Sequence, residues 1–247
     1  MFKPTKPEIQ NLADAHQEVI HQLESLLQGR VNVYIDYANV RPWAKRLEWR
    51  IDLKRLKNFL RSFDNVRNIR LYYGTLKGNQ DSEKSIQEWT RLGYIVRTKD
   101  VKIMRININA SSINVQSTDI LKNFIRAPLL RKYDVETIEY LNQKFADMNK
   151  RGIHFIEDYK CNFDVEIGRD MTLDCERNEA DCFVLWSGDS DFHDPLNEIL
   201  TSGSKAVLFA TARAVSSELN GLRSKGLFIF DIRKIREFIC WKREMRP

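Results

Sequence analysis

Two carboxylates stand one residue apart in Ser187-Gly188-Asp189-Ser190-Asp191, directly after the apolar run Phe183-Val184-Leu185-Trp186. On so short a turn they repel each other unless a cation or a proton is shared between them. The apolar run reads as a buried strand, and the loop beyond the C-terminal end of such a strand is where open α/β sheets hold ligands. A second run of this kind, Val31-Asn32-Val33-Tyr34-Ile35-Asp36, ends on a carboxylate, with the carboxamide of Asn39 three residues on. Both are oxygen donors suited to a hard divalent cation, although Asp36 alone also reads as a helix cap. Asp164 falls in the first turn of a helix that begins near Asn162 or Phe163, where it also suits the helix dipole; Asp170, about two turns on, reads as a supporting or surface residue.

Asp36, Asp164, Asp189 and Asp191 therefore come from separate segments that an α/β sheet can bring to one side. Four carboxylates with no lysine among them are destabilised unless a divalent metal neutralises them, and an all-oxygen set points to Mg²⁺ or Mn²⁺ over zinc. Such a site suits phosphodiester hydrolysis, because a bound metal activates water and steadies charge on the phosphate. Ser187 adds a hydroxyl able to orient a bound water or one of the carboxylates. His16, His21, His154 and His193 are dispersed, and no Ser, Cys or His triad is visible.

The elements that must position these residues follow from the hydrophobic pattern. Strands at 31–36, 68–74 and 94–98, with helices at about 52–60 and 82–92 between them, make a β-α-β-α-β run that predicts a mostly parallel sheet with helices on both faces. At about 102–157 the pattern breaks into a partly helical insertion that carries Lys122, Arg126, Arg131 and Lys132, with helical stretches at about 119–125 and 134–148. Further strands are expected at 205–210 and 227–231, and a C-terminal helix at 233–242. An N-terminal amphipathic helix fills most of 1–29; it covers a flank of the domain at 30–247 or supplies a homodimer contact.

With 43% apolar and 30% charged residues the chain is globular, and a net charge of +6 is compatible with an anionic partner. Arg41, Trp43, Lys45, Arg46, Trp49 and Arg50 interleave cations with indoles just past Asn39. That is a pattern for holding a phosphate backbone and stacking bases, and equally one for a solvated basic face above core tryptophans. The four cysteines have neither disulfide nor zinc spacing, and no stretch has signal-peptide or membrane-span character, which predicts a cytoplasmic protein without membrane contact.

Ile35-Asp36-Tyr37-Ala38-Asn39, then Lys160-x-x-x-Asp164-Val165 with Asp170 beyond, then Val184-Leu185-Trp186-Ser187-Gly188-Asp189-Ser190-Asp191-Phe192 resembles the NYN domain family of PIN-like nucleases. The resemblance continues through Gly203, Val207 and Ser216-Ser217-Glu218-Leu219, over about residues 30 to 232 apart from the insertion. It implies a Rossmann-like sheet and a metal-dependent ribonuclease, expected to cut RNA internally, with Asp36, Asn39, Asp164, Asp189 and Asp191 matching the acidic cluster and Lys160 in a supporting place. Two other readings stand beside it. A PIN-like module that binds RNA or protein without cutting is one; a haloacid-dehalogenase-like phosphatase is the other, although Ala38 stands where that family needs a second aspartate.

Overall fold

Strand β1, Val31–Asp36, is buried at every residue, which an apolar strand achieves only at the centre of a sheet covered on both faces. The computed structural model describes residues 1–40, 49–76, 78–211 and 215–241, with Ala38 and Asn39 described by their backbone alone. In chain order, helices α1 (Pro7–Ala15) and α2 (Gln17–Leu26) precede β1, and the short α3 (Tyr37–Val40) follows it. Then come α4 (Leu53–Arg61), β2 (Val66–Thr75), α5 (Gln80–Arg91), β3 (Ile95–Asp100) and β4 (Lys102–Asn107). Helices α6 (Ala127–Leu130) and α7 (Val135–Lys150) lead to β5 (Phe155–Lys160). The last third holds α8 (Asp164–Glu176), β6 (Cys182–Trp186), α9 (His193–Thr201), β7 (Lys205–Ala210), α10 (Ser217–Gly221), β8 (Phe228–Asp231) and α11 (Arg236–Ile239).

The chain divides into two compact units, Met1–Asp100 with Cys161–Pro247, and Val101–Lys160. The first holds a six-stranded sheet in the order β3-β2-β1-β6-β7-β8, parallel throughout, so the fold class is α/β with doubly wound, Rossmann-like topology. Its core joins both sheet halves, with Val33, Ile35, Val184, Leu185, Trp186 and Leu208 among the most enclosed side chains. Helix starts are set by local chemistry: Asp52 caps α4 by accepting from the amides of Lys54 and Arg55, and Ser216 caps α10 by accepting from Leu219.

In the second unit, β4 and β5 pair antiparallel as a two-stranded ribbon, and α7 starts at the Asp134 cap, which accepts from Thr137. Two asparagines of α7 tie down the long loop before it and the turn after it. Asn142 donates to the carbonyls of Val115 and Ser117, and Asn149 to those of Ile108 and Ile153. The buried apolar side chains here are Ile108, Ile120, Leu121 and Leu130, a small core for sixty residues.

Three details depart from the sequence-based expectations. The N-terminal segment is two helices, broken at His16, which leaves helical geometry at φ −127° and ψ 40°. The insertion, expected to be partly helical, also holds the ribbon strands β4 and β5, and the stretch at 119–125 is a short 3₁₀ turn, Leu121–Asn123. Over 233–242, the described residues form a 3₁₀ turn at Ile232–Ile235 and then the four-residue α11.

Candidate functional site

Strand order creates the site before any side chain is considered. β1 and β6 are neighbours whose chains leave toward opposite edges of the sheet, so a crevice opens beyond their C-terminal ends. Ile35 pairs with Trp186, and the next residues on each strand, Asp36 and Ser187, emerge side by side. Both are buried, and Ser187 Oγ donates to Asp36 Oδ2 at 3.5 Å. The loop that follows closes on itself: the Asp189 amide donates to Ser187 Oγ at 3.4 Å and the Asp191 amide to Asp189 Oδ1 at 3.3 Å.

Asp164 arrives from α8. Asp164, Ile167, Met171 and Asp174 recur at steps of three and four, so they share the helix face that turns inward, where Ile167 and Met171 are fully enclosed. Alternation along β1 puts Asn32, Tyr34 and Asp36 on one sheet face. Asn32 and Tyr34 donate to Asp174, which fixes that face as the one under α8 and turns Asp36 toward the same helix. The Asn162 side chain accepts from the Asp164 amide at 2.8 Å and sets the first turn.

Burial raises the pKa of Asp164; Asn162 opposes this, while the carboxylates of Asp189, Asp191 and Asp36 add to it, and the net value is about 6. Its Oδ2 is enclosed and accepts no hydrogen bond. A dication is the group such an orphaned carboxylate oxygen suits, and Asn162, Asp36, Asp189 and Asp191, which act on Asp164, all offer oxygen. Among the described residues, no three His, Cys, Asp or Glu stand close enough together to enclose a single metal ion. Asp164 and Asp191 also line a groove of about 420 Å³ between α8 and α9, with Gly168, Arg169, Pro195 and Glu198. Gly168 is what lets the two helices approach: a Cβ there would stand 3.0 Å from Pro195 Cγ.

Asp170 is buried. Tyr72 donates to it at 2.9 Å, and Arg97 and Arg169 stand 3.5 and 3.7 Å away. Lys160 ends β5 in the second unit, its ammonium 3.8 Å from Asp158. Trp49 is corrected: it is buried at 3% exposure within the core and offers no face to a base. Arg50 is exposed, whereas Arg41, Trp43, Lys45, Arg46 and the side chain of Asn39 lie outside the described residues.

Sequence reasoning missed two neighbours, Glu166 and Lys99. Lys99 Nζ donates to Glu166 Oε1 at 2.7 Å, and Glu166 Oε2 is enclosed without a partner. Burial raises the Glu166 pKa, but Lys99 and the backbone more than offset it and the carboxyl sits below its ordinary range. The Cys161 thiol, raised by burial, feels Lys99, Glu166 and Asp36 together, so this pair borders the acidic residues. The available signal was position: Lys99 lies near the C-terminal end of β3, on the edge where β1 and β6 deliver Asp36 and Asp189.

The NYN domain model matches residues 113–225. That stretch of the chain is similar to the NYN domain family. NYN domains are a PIN-like nuclease family, and the matched stretch of this chain contains Asp164, Ser187, Asp189 and Asp191. It begins inside the insertion, so much of that segment belongs to the NYN match, while β1 with Asp36 lies outside it. No curated protein matches the sequence significantly. Among solved structures, a protein of unknown function from Vibrio parahaemolyticus is similar, at 14% identity over 87% of this chain and 97% of the other, with a TM-score of 0.49.

Proposed function

We infer that the protein is a metal-dependent ribonuclease that hydrolyses phosphodiester bonds of RNA at the crevice between β1 and β6. One observation carries the reading: Asp164, half-buried with one enclosed and unbonded oxygen, has Asp36, Asp189 and Asp191 for neighbours at the switch point of a parallel sheet. Asp36, Asp164, Asp189 and Asp191 are the residues that would hold Mg²⁺ or Mn²⁺, with Asn39, Ser187 and Asp170 in support. The metal, when bound, supplies the positive charge that lets these carboxylates coexist ionised and that polarises water and phosphate. The chain's own parts then have separate tasks. Ser187 orients Asp36, Asp189 shapes its own loop through the Asp191 amide, and Tyr72 with Arg97 anchors α8 through Asp170.

The test is cleavage of single-stranded RNA with and without Mg²⁺ or Mn²⁺. Wild type is expected to cut only with metal, and Asp189→Asn to lose cleavage by at least a hundredfold while still binding RNA. Cleavage that persists in EDTA, or in Asp189→Asn, overturns the assignment. The second reading, an RNA-binding module that does not cut, is favoured by the lack of a three-ligand group among the described residues. It predicts binding with no cleavage under any metal. Arg46→Glu with Arg50→Glu should weaken binding and its dependence on salt if the segment after Asn39 grips phosphate.

A further inference from the structure

We propose that the α6 segment of the second unit, from Lys122 to Tyr133, is a binding surface for single-stranded RNA. The proposal rests on the reading that RNA is the substrate, but on residues outside the acidic site. Across these twelve residues there are four cations and no carboxylate. Lys122 is paired with Asp119 at 2.7 Å, and elsewhere in the unit Arg105, Lys150 and Lys160 lie within ion-pair distance of Glu157, Asp147 and Asp158 respectively. Arg126, Arg131 and Lys132, by contrast, are exposed and have no acidic partner among the described residues.

Interleaved with them are large side chains left in water, Phe124 at 42%, Leu129 at 52% and Tyr133 at 41% exposure. The backbone here forms successive helical turns, Leu130 bonding back to Arg126 and Tyr133 to Leu130. Leu129, Lys132 and Tyr133 therefore sit three or four positions apart and adjoin one another, while Leu130 alone turns into the core. Phe124 is backed by Phe145 in a stacked pair 5.8 Å apart, which holds its ring in place. Unpaired cations beside aromatic faces fit a chain of phosphates carrying unstacked bases. A duplex buries its base faces, and an apolar protein partner would leave three cations unmatched.

The experiment measures binding of the full-length protein to a fluorescent twenty-nucleotide oligouridylate in EDTA, so that cleavage plays no part. The triple variant Arg126→Gln, Arg131→Gln, Lys132→Gln is expected to lose at least tenfold in affinity. Its slope of log K against log salt should fall by about 2, since each single-strand phosphate that is no longer neutralised lowers it by about 0.7. Tyr133→Ala should lose about tenfold through stacking. A control with the same charge change at paired cations, Lys3→Gln, Arg105→Gln, Lys150→Gln, should bind as wild type. Equal affinity for variant and wild type, equal losses in the control, or undiminished binding to duplex RNA of the same length overturns the proposal. So does a dimer that Leu129→Ser dissolves, since that face would then belong to a second copy. If wild type fails to cut with metal yet binding follows Arg126, Arg131 and Lys132, the nuclease reading falls and this one stands. If wild type cuts with metal and the triple variant binds undiminished, the nuclease reading stands and this one falls.

Discussion

The two ends of α8 hold carboxylates in opposite circumstances. At the C-terminal end Asp174 is buried, yet Arg70 grips both of its oxygens and Asn32 and Tyr34 donate to it as well. Asp170, one turn earlier, has Tyr72 and two arginines. At the N-terminal end Asp164 has other carboxylates for neighbours and an oxygen that nothing bonds. The same helix runs along the same sheet face, with Asp174 buried and Asp164 half-buried, and the larger difference is in their partners. The chain supplies the counter-charge at one end and none to Asp164 at the other, which separates a structural ion pair from a carboxylate left to repel its neighbours.

The contrast breaks most visibly at Asp174. Asp174→Ala leaves Arg70 charged and uncompensated in the interior, and is expected to cost about 3 to 5 kcal/mol in chemical denaturation. The pair Arg70→Met with Asp174→Leu should recover most of that loss, because the penalty belongs to the orphaned charge. Tyr72→Phe removes one donor from Asp170 while the arginines remain, for an expected loss of about 1 to 2 kcal/mol. Asp164→Asn should move the other way. Without metal it raises stability, on the order of 1 kcal/mol once solvent screening is allowed for, by removing one repelling charge. A loss of stability at Asp164 comparable to that at Asp174 would erase the distinction between the two ends.

How legible each end was follows from where its information lies. The acidic end was readable because apolar runs that stop abruptly on Asp36 and Ser187-Gly188-Asp189 mark strand exits, and strand exits converge in a parallel sheet. The anchored end was not. Nothing local distinguishes Asp174 from a surface aspartate on a helix; its burial is decided by Arg70, 104 residues away. The β4–β5 ribbon escaped notice for a related reason. Ile103 faces Tyr159 and Arg105 faces Glu157 across it, all four exposed, so no buried face imposes the alternation that marks a strand. At Trp49 the basic, aromatic stretch was compatible with a base-stacking surface and with a core ring alike, and packing claimed the ring.

The smallest effect is the most diagnostic, because its sign differs between paired and unpaired acids. Folded Asp164 keeps its proton up to about pH 6, while in the unfolded chain the carboxyl releases it near its ordinary 3.8. Between those values the folded state binds more protons, so the contribution of Asp164 to stability is full below 3.8 and is lost as pH rises through about 6. Asp181 is the counterexample within the same unit. Arg30 holds it down to about 2, so its contribution is present above 3.8 and is lost as pH falls toward 2. Subtracting the stability curve of Asp164→Asn from that of wild type, in EDTA, isolates the first of these. The difference should fall with rising pH and level off above about pH 7. With Mn²⁺ the ionised carboxylate becomes the bound form, and the same difference should rise across that interval as metal binding strengthens. A difference curve that is flat in EDTA, or one that Mn²⁺ leaves unchanged, would mean that the N-terminal end of α8 is as self-sufficient as its other end.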